Sequence, residues 1–287
     1  MNNNIGIGFR KDFAEDFLQE DGLKAGFVEL APENWMNIGG YWKKVLKQVA
    51  QKYPITCHGL SLSIGSPEPL DWGFIEQVKN FLNEYNIEIY SEHLSYTKCN
   101  NAHLYELLPV PFREDAALHI ASRIKKVQQF LGRKIAIENV SYYTPVAAEM
   151  DEADFINLIL EEADCNLLLD VNNVYVNSFN HQYNPYEFLD KTNLSRVSYI
   201  HMAGHLQVAD DLIIDTHGEN IIDPVYDLFS YTVSKINPVP VLLERDFNIP
   251  EINVLQNELN TLQNITQLHW QNGKNISQIN TRLHAAS

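Results

Sequence analysis

Apolar and polar positions alternate along this chain in two distinct ways. Eight short runs, at 5–9, 26–30, 55–59, 87–91, 134–138, 166–171, 197–201 and 239–245, are rich in β-branched and apolar residues. Their length and composition predict buried strands. Stretches of helical period lie between them. In 41–52 the residues Trp42, Val45, Leu46 and Val49 share one face. Segment 71–85 opens on Asp71 as a cap and turns Phe74, Val78 and Phe81 inward, and 114–131 carries Ala117, Ile120, Ile124, Val127 and Leu131 as one stripe. Segments 151–162, 185–189, 223–234 and 250–267 complete the set. Pro185, Pro224 and Pro250 stand near helix starts, where a missing N–H costs little.

Eight strand runs interleaved with seven helical stretches predict an α/β fold, and eight units in about 250 residues favour a single (β/α)8 TIM barrel over a doubly wound sheet. Gly6-Ile7-Gly8-Phe9-Arg10-Lys11 lacks the third glycine of a dinucleotide fingerprint. No linker or composition shift divides the chain, so the barrel is expected over 1–267. Residues 268–287, polar and rich in Asn and Gln, are expected as a loosely held C-terminal tail.

At 287 residues and 45% hydrophobic, the chain can bury one large core. A net charge of −16 argues against a nucleic-acid partner, which needs a clustered basic surface. Three widely spaced cysteines (Cys57, Cys99, Cys165) fit packed thiols in a reducing compartment. The first residues lack a secretory pattern and no apolar run approaches about 18 residues. A cytoplasmic protein without a membrane segment is expected.

The ends of the strands carry the chemistry. Strand three ends in His58, strand four reaches Glu92-His93, and strand five ends in Glu138. Strand six ends in Leu169-Asp170-Val171-Asn172-Asn173, strand seven in His201 and strand eight in Glu244-Arg245, and the loop after strand seven adds His205, Asp215 and His217. In a barrel all these ends converge on one mouth. Glu138, Asp170 and Glu244 each follow strongly apolar strands, and carboxylates so placed repel one another unless cations lie between them. They are the candidate catalytic group. With His58, His93, His201, His217, Asp215 and the amide oxygen of Asn173, they outnumber the ligands of one ion, so two or three metals with a bridging Glu138 or Glu244 fit better. Imidazole and carboxylate ligands without thiolate suit iron, manganese or zinc. His205 is equally a ligand or a partner of one. Glu33 and Glu92 are candidates to orient the histidines or bind substrate, and Arg245 and Asp246 are expected to pair beside the site. Alternation points Cys57 away from His58.

His58-Gly59-Leu60-Ser61-Leu62-Ser63, Ser91-Glu92-His93-Leu94-Ser95, Ile137-Glu138-Asn139-Val140-Ser141, the run from Leu169 to Val176, His201-Met202-Ala203-Gly204-His205, Asp215-Thr216-His217 and Leu243-Glu244-Arg245-Asp246 carry a family resemblance. Together they resemble the multinuclear non-haem iron-dependent oxidative enzymes, which include the methanobactin biosynthesis oxidase. The resemblance runs from Gly6 to about Pro250. It implies a xylose-isomerase-like TIM barrel holding two or three iron ions (Fe2+/Fe3+). It also implies oxidation of cysteines in a ribosomally made precursor peptide by dioxygen, with a small partner protein that recognises the leader. On matching positions His58, His93, Glu138, Asp170, His201 and Glu244 would hold the central irons, and Asn173, Asp215 and His217 a third.

Two other readings follow from the same residues. Metal-dependent sugar isomerases and three-zinc endonucleases share the barrel and the ligand types. The acidic charge disfavours the nuclease, and no lysine stands at a strand end as a sugar isomerase usually needs. A non-catalytic metal- or peptide-binding protein would keep the ligands without turnover.

Overall fold

The protein is described by a computed structural model covering residues 4–19, 22–99, 102–144 and 147–284; for Cys99, His103, Tyr105 and 271–284 it describes backbone alone. Along the chain come β1 (Ile5–Gly8), β2 (Val28–Leu30), α1 (Gly40–Lys52), β3 (Ile55–Gly59), α2 (Trp72–Glu84) and β4 (Tyr90–His93). A hairpin follows, β5 (Ser95–Cys99) and β6 (Ala102–Pro109), then α3 (Glu114–Leu131), β7 (Ala136–Glu138), α4 (Glu152–Ala163) and β8 (Asn166–Asp170). The remainder is α5 (Val171–His181), α6 (Pro185–Lys191), β9 (Val197–Met202), a second hairpin of β10 (Leu206–Ala209) and β11 (Leu212–Ile214), α7 (Asp223–Lys235), β12 (Val241–Leu243) and α8 (Ile252–His284).

Eight strands close into a parallel barrel in the order β1-β12-β9-β8-β7-β4-β3-β2, with β2 returning to β1. All eight expected strands are present. The fourth lies at 90–93 instead of 87–91, because register with Cys57 on one side and Glu138 on the other, not local apolarity, fixes its span. The first unit has only a short 3-10 turn, Lys11–Phe13, where a helix would complete the repeat. Beyond 267 the backbone of the expected tail continues α8 as far as His284. Among the described residues no helix is long and apolar enough to cross a membrane.

Two local outcomes depart from the expected pattern. The run Val171-Asn172-Asn173-Val174-Tyr175-Val176 is strand-like in composition, yet it is helix α5. The Asp170 side chain accepts from the backbone N–H of Asn173 and caps the helix at the last residue of β8, so tertiary context overrides propensity. The two hairpins, after β4 and β9, were not anticipated either; β10 is exposed along its length and so lacks the alternation that marks a strand.

Period-two alternation sorts the barrel interior into layers. Phe27, Ala136, Leu168, Tyr199 and Leu242 form a small buried cluster of their own, topped by the Tyr199 hydroxyl 3.1 Å from Thr56 Oγ1. One alternation step further up, Glu29, His58, His93, Glu138, Asp170, His201 and Glu244 take the next inward positions. Residues of opposite parity, such as Cys57, Ile137, Leu167 and Leu169, pack outward into the main core beneath the helices. Cys57 and Cys165 are free, buried thiols, and burial pushes both up in pKa, Cys165 to about 12.

β1 turns glycines inward, and Gly6 leaves the space that the Phe27 ring fills: a Cβ there would overlap the ring. Gly6→Ala is therefore expected to destabilise the fold by about 1–3 kcal/mol through overpacking. Chemical denaturation followed by far-UV circular dichroism measures it.

Candidate metal centre

His58 on β3, His93 on β4 and Glu138 on β7 form the first knot. The two imidazole Nε2 atoms lie 3.1 Å apart, and they stand 3.1 and 3.3 Å from Glu138 Oε2. Their opposite nitrogens fix the ring orientation. His93 Nδ1 donates to the Gly59 carbonyl at 3.1 Å, since a carbonyl can only accept. His58 Nδ1 donates to Ser91 Oγ at 2.8 Å, and the Ser91 hydroxyl in turn donates to the Cys57 carbonyl at 3.4 Å. Both Nε2 lone pairs therefore aim at a carboxylate oxygen. Three acceptors converging in a buried place call for a cation or a proton between them.

The knot extends through Glu138. Ligand-type atoms of Glu138, Asp170 and His201 lie within 4.8 Å of one another, as do those of Asp170, His217 and Glu244 and those of Glu29, His201 and Glu244. His201 Nδ1 lies 2.9 Å from Glu244 Oε2 and 3.7 Å from Glu138 Oε1. His217 Nδ1 lies 3.4 Å from Glu244 Oε2, and its Nε2 lies 2.6 Å from Asp215 Oδ1. Five buried atoms make no well-aligned hydrogen bond, the close approaches just given being ion-pair distances: Glu138 Oε2, Asp170 Oδ2, Asn173 Oδ1, His201 Nδ1 and His217 Nε2. Each is a lone-pair atom of a metal-ligand type, so the site fits metal ions. Glu138, Asp170, His201 and Glu244 are each shared between two or more of these groups.

Without metal the site must hold protons. Burial alone would depress His58, but the charges of Glu138 and Glu29 outweigh it and raise it to about 9. His93, which meets burial and the neighbouring His58, falls to about 4. Asp170 is raised, by burial first and then by the Glu138 charge. Burial also opposes ionisation of Glu244, yet His217 and His201 hold its carboxyl well below the usual range.

Behind these atoms the remaining candidates take separate places. Asn173 donates through Nδ2 to the Asn139 carbonyl at 3.1 Å, which fixes its Oδ1. Asp215 accepts from Asn172 Nδ2 at 2.8 Å and from Ser141 Oγ at 3.1 Å. His205 reaches the centre only through Asn172, at 2.8 Å from its Oδ1, and stacks on Tyr175. Glu92 has the parity of Tyr90 and turns away from the histidines; the Tyr90 hydroxyl and the Leu62 N–H donate to it. Glu33 accepts from the Leu60 N–H at 2.8 Å, so Glu33 and Glu92 together brace the turn after His58. The expected Arg245–Asp246 pair is not formed. Arg245, on the outward parity, is buried against Glu258 at 2.6 Å, and Asp246 pairs with Arg10 across the mouth. That mouth is a cavity of about 480 Å³ whose lining includes Arg10, His58, His93, His217, Glu244 and Phe247.

A model of the RiPP precursor modification enzymes (MbnB/TglH/ChrH) matches residues 4–267. The chain belongs to that family. The UPF0276 protein of Shewanella loihica is 49% identical over 258 residues, covering 90% of this chain and 92% of the relative. That of Acinetobacter baylyi is 49% identical over 283 residues, 99% and 97% of the two chains. Among solved structures, the 3-keto-D-glucoside 4-epimerase YcjR from E. coli aligns with a TM-score of 0.58 at 13% identity, over 92% of this chain and 98% of its own. A xylose isomerase domain protein from Planctomyces limnophilus aligns at 0.56 and 12%, over 94% and 99%. These structures share the xylose-isomerase-like barrel with the RiPP family member described here.

Two residues of the site lie outside the candidate set. Glu29 stands mid-strand in β2, and its Oε2 lies 3.1 Å from His201 Nε2. By accepting that proton it directs the Nδ1 lone pair toward Glu138 and Glu244, as an outer carboxylate does for a ligating histidine. Its signal was a lone charge between Val28 and Leu30. Asn172 had none beyond its neighbourhood to Asp170.

Glu29→Ala is expected to weaken metal binding at the His201 cluster by about 10–100-fold if that cluster is a metal site, read as metal retained against a graded chelator. A divalent metal ion added anaerobically to the metal-free protein at pH 7 should displace the proton from His58, so affinity rises as pH climbs toward 9. Calorimetry in two buffers of different ionisation enthalpy measures the release.

Proposed function

We propose that this RiPP modification enzyme uses two or three iron ions and dioxygen to oxidise cysteine residues of its precursor peptide, alongside a small protein that recognises the leader. The observation that carries the reading is the fusion of the His58/His93/Glu138 knot to the Glu138/Asp170/His201 group through one shared carboxylate. Such ions, when bound, would supply Lewis acidity for the thiol and a path for electrons from the cysteine side chain to dioxygen.

The chain's own residues do the rest. Glu138, Asp170 and Glu244 set the anionic charge that favours the metals, and the buried walls keep water from competing. Asn173, Asp215 and His217 would hold an outer ion, with Ser141 and Asn172 fixing Asp215. At the rim Phe247, Leu107 and Leu60 are exposed apolar side chains beside the cavity, suited to an extended peptide. Arg10 spans the mouth to Asp246 and lies 3.8 Å from Glu244.

Protein purified without air should contain two or three iron ions per chain, and its cognate peptide should show a dioxygen-dependent mass change at cysteine. Glu138→Gln should abolish both. Full activity with zinc or manganese alone and without dioxygen would return the enzyme to the redox-silent class of the isomerase barrels.

A further inference from the structure

Outside the metal centre, a second cavity of about 360 Å³ opens between the loop after β7, the first turn of α4 and the α5–α6 junction. Its walls are aromatic: Phe112, Tyr142, Tyr183 and Phe188, with His181 stacked on Tyr142 at 4.2 Å between centroids. Glu152 also lines the cavity. Its carboxylate accepts from the hydroxyls of Tyr142 at 3.4 Å and Tyr183 at 3.5 Å and from Asn177 Nδ2 at 3.4 Å. Charge-assisted O–H···O bonds run at about 2.5–2.7 Å, so these three contacts are long for such bonds. The basic side chain at the rim, Lys191, is held elsewhere, by Asp151 at 2.6 Å. Asp151 and Glu187 line the cavity as well, and aromatic faces around carboxylates are the chemistry that captures an organic cation.

We propose that this cavity is a recognition site for a lysine or arginine side chain of the peptide the enzyme modifies. The inference rests on the proposed peptide substrate, and two observations favour that source. The net charge of −16 complements a basic peptide. The cavity also adjoins the metal centre through three consecutive residues. Tyr142 forms its wall, while Ser141 and Tyr143 both hold Asp215, through Oδ2 at 3.1 Å and the backbone N–H at 3.0 Å. A peptide lying across the mouth can therefore seat one side chain here and a cysteine at the metals. Burial, ahead of every other cause, raises Glu152 to about 8, so the empty cavity favours the protonated acid and an entering cation restores its charge.

The test is binding, read by NMR shifts on the whole metal-loaded protein, with Nα-acetyl-lysine methylamide, its arginine and norleucine counterparts, and n-pentylammonium as probes. The lysine and arginine probes should bind saturably, and norleucine at least tenfold more weakly. Glu152→Gln should cost at least tenfold. Ala148→Trp, a substitution at an exposed lining position, should block the cavity without touching the core. Equal binding of norleucine, or unchanged affinity in Glu152→Gln and Ala148→Trp, overturns the cation site. Preference for n-pentylammonium over the lysine amide by tenfold overturns the peptide side chain as occupant. None of these readouts needs turnover, so failure of the oxidase reading and failure of this site are told apart.

Discussion

Balancing buried negative charge is the constraint on which this molecule depends. Glu29, Glu138, Asp170 and Glu244 are all buried in one inward layer of the barrel. Two like charges 4 Å apart cost about 4 kcal/mol even at a moderate effective dielectric, and four cannot ionise together without compensation. The imidazoles of His58, His93, His201 and His217 interleave with them, and the unpartnered atoms between mark where positive charge belongs. The apolar layer below, from Phe27 to Leu242, closes the barrel to water and deepens the demand.

Much of this was legible because both the fold and the site obey one period. Apolar runs ending in His, Asp or Glu gave the strands, and convergence at one barrel face gave His58, His93, Glu138, Asp170, His201 and Glu244. What escaped was set by contacts distant in sequence. Glu29 is 172 residues from the ring it orients. Helix α5 depends on a side-chain cap that a β-branched run conceals. Glu92 had the right type and place, but its parity sends it to Tyr90. Arg245 and Asp246, adjacent in sequence, must face opposite ways on an extended chain and so find different partners.

The barrel is shared with sugar epimerases and isomerases at identities that establish architecture alone. The difference in chemistry lies in what the strand ends and loops carry. Here the loops after β4 and β9 are hairpins and that after β8 is helix α5. Three of the mouth loops on this scaffold, after the fourth, sixth and seventh barrel strands, thus carry structured elements.

Asp170 shows what such economy demands of a single residue. One carboxylate oxygen ends a strand by capping α5 through Asn173, and the other faces the metal centre. Glutamate would reach further but lose the cap; asparagine would keep the cap and lose the charge. Neither neighbour in chemical space satisfies both requirements, so one aspartate ties the start of a helix to the charge of the site.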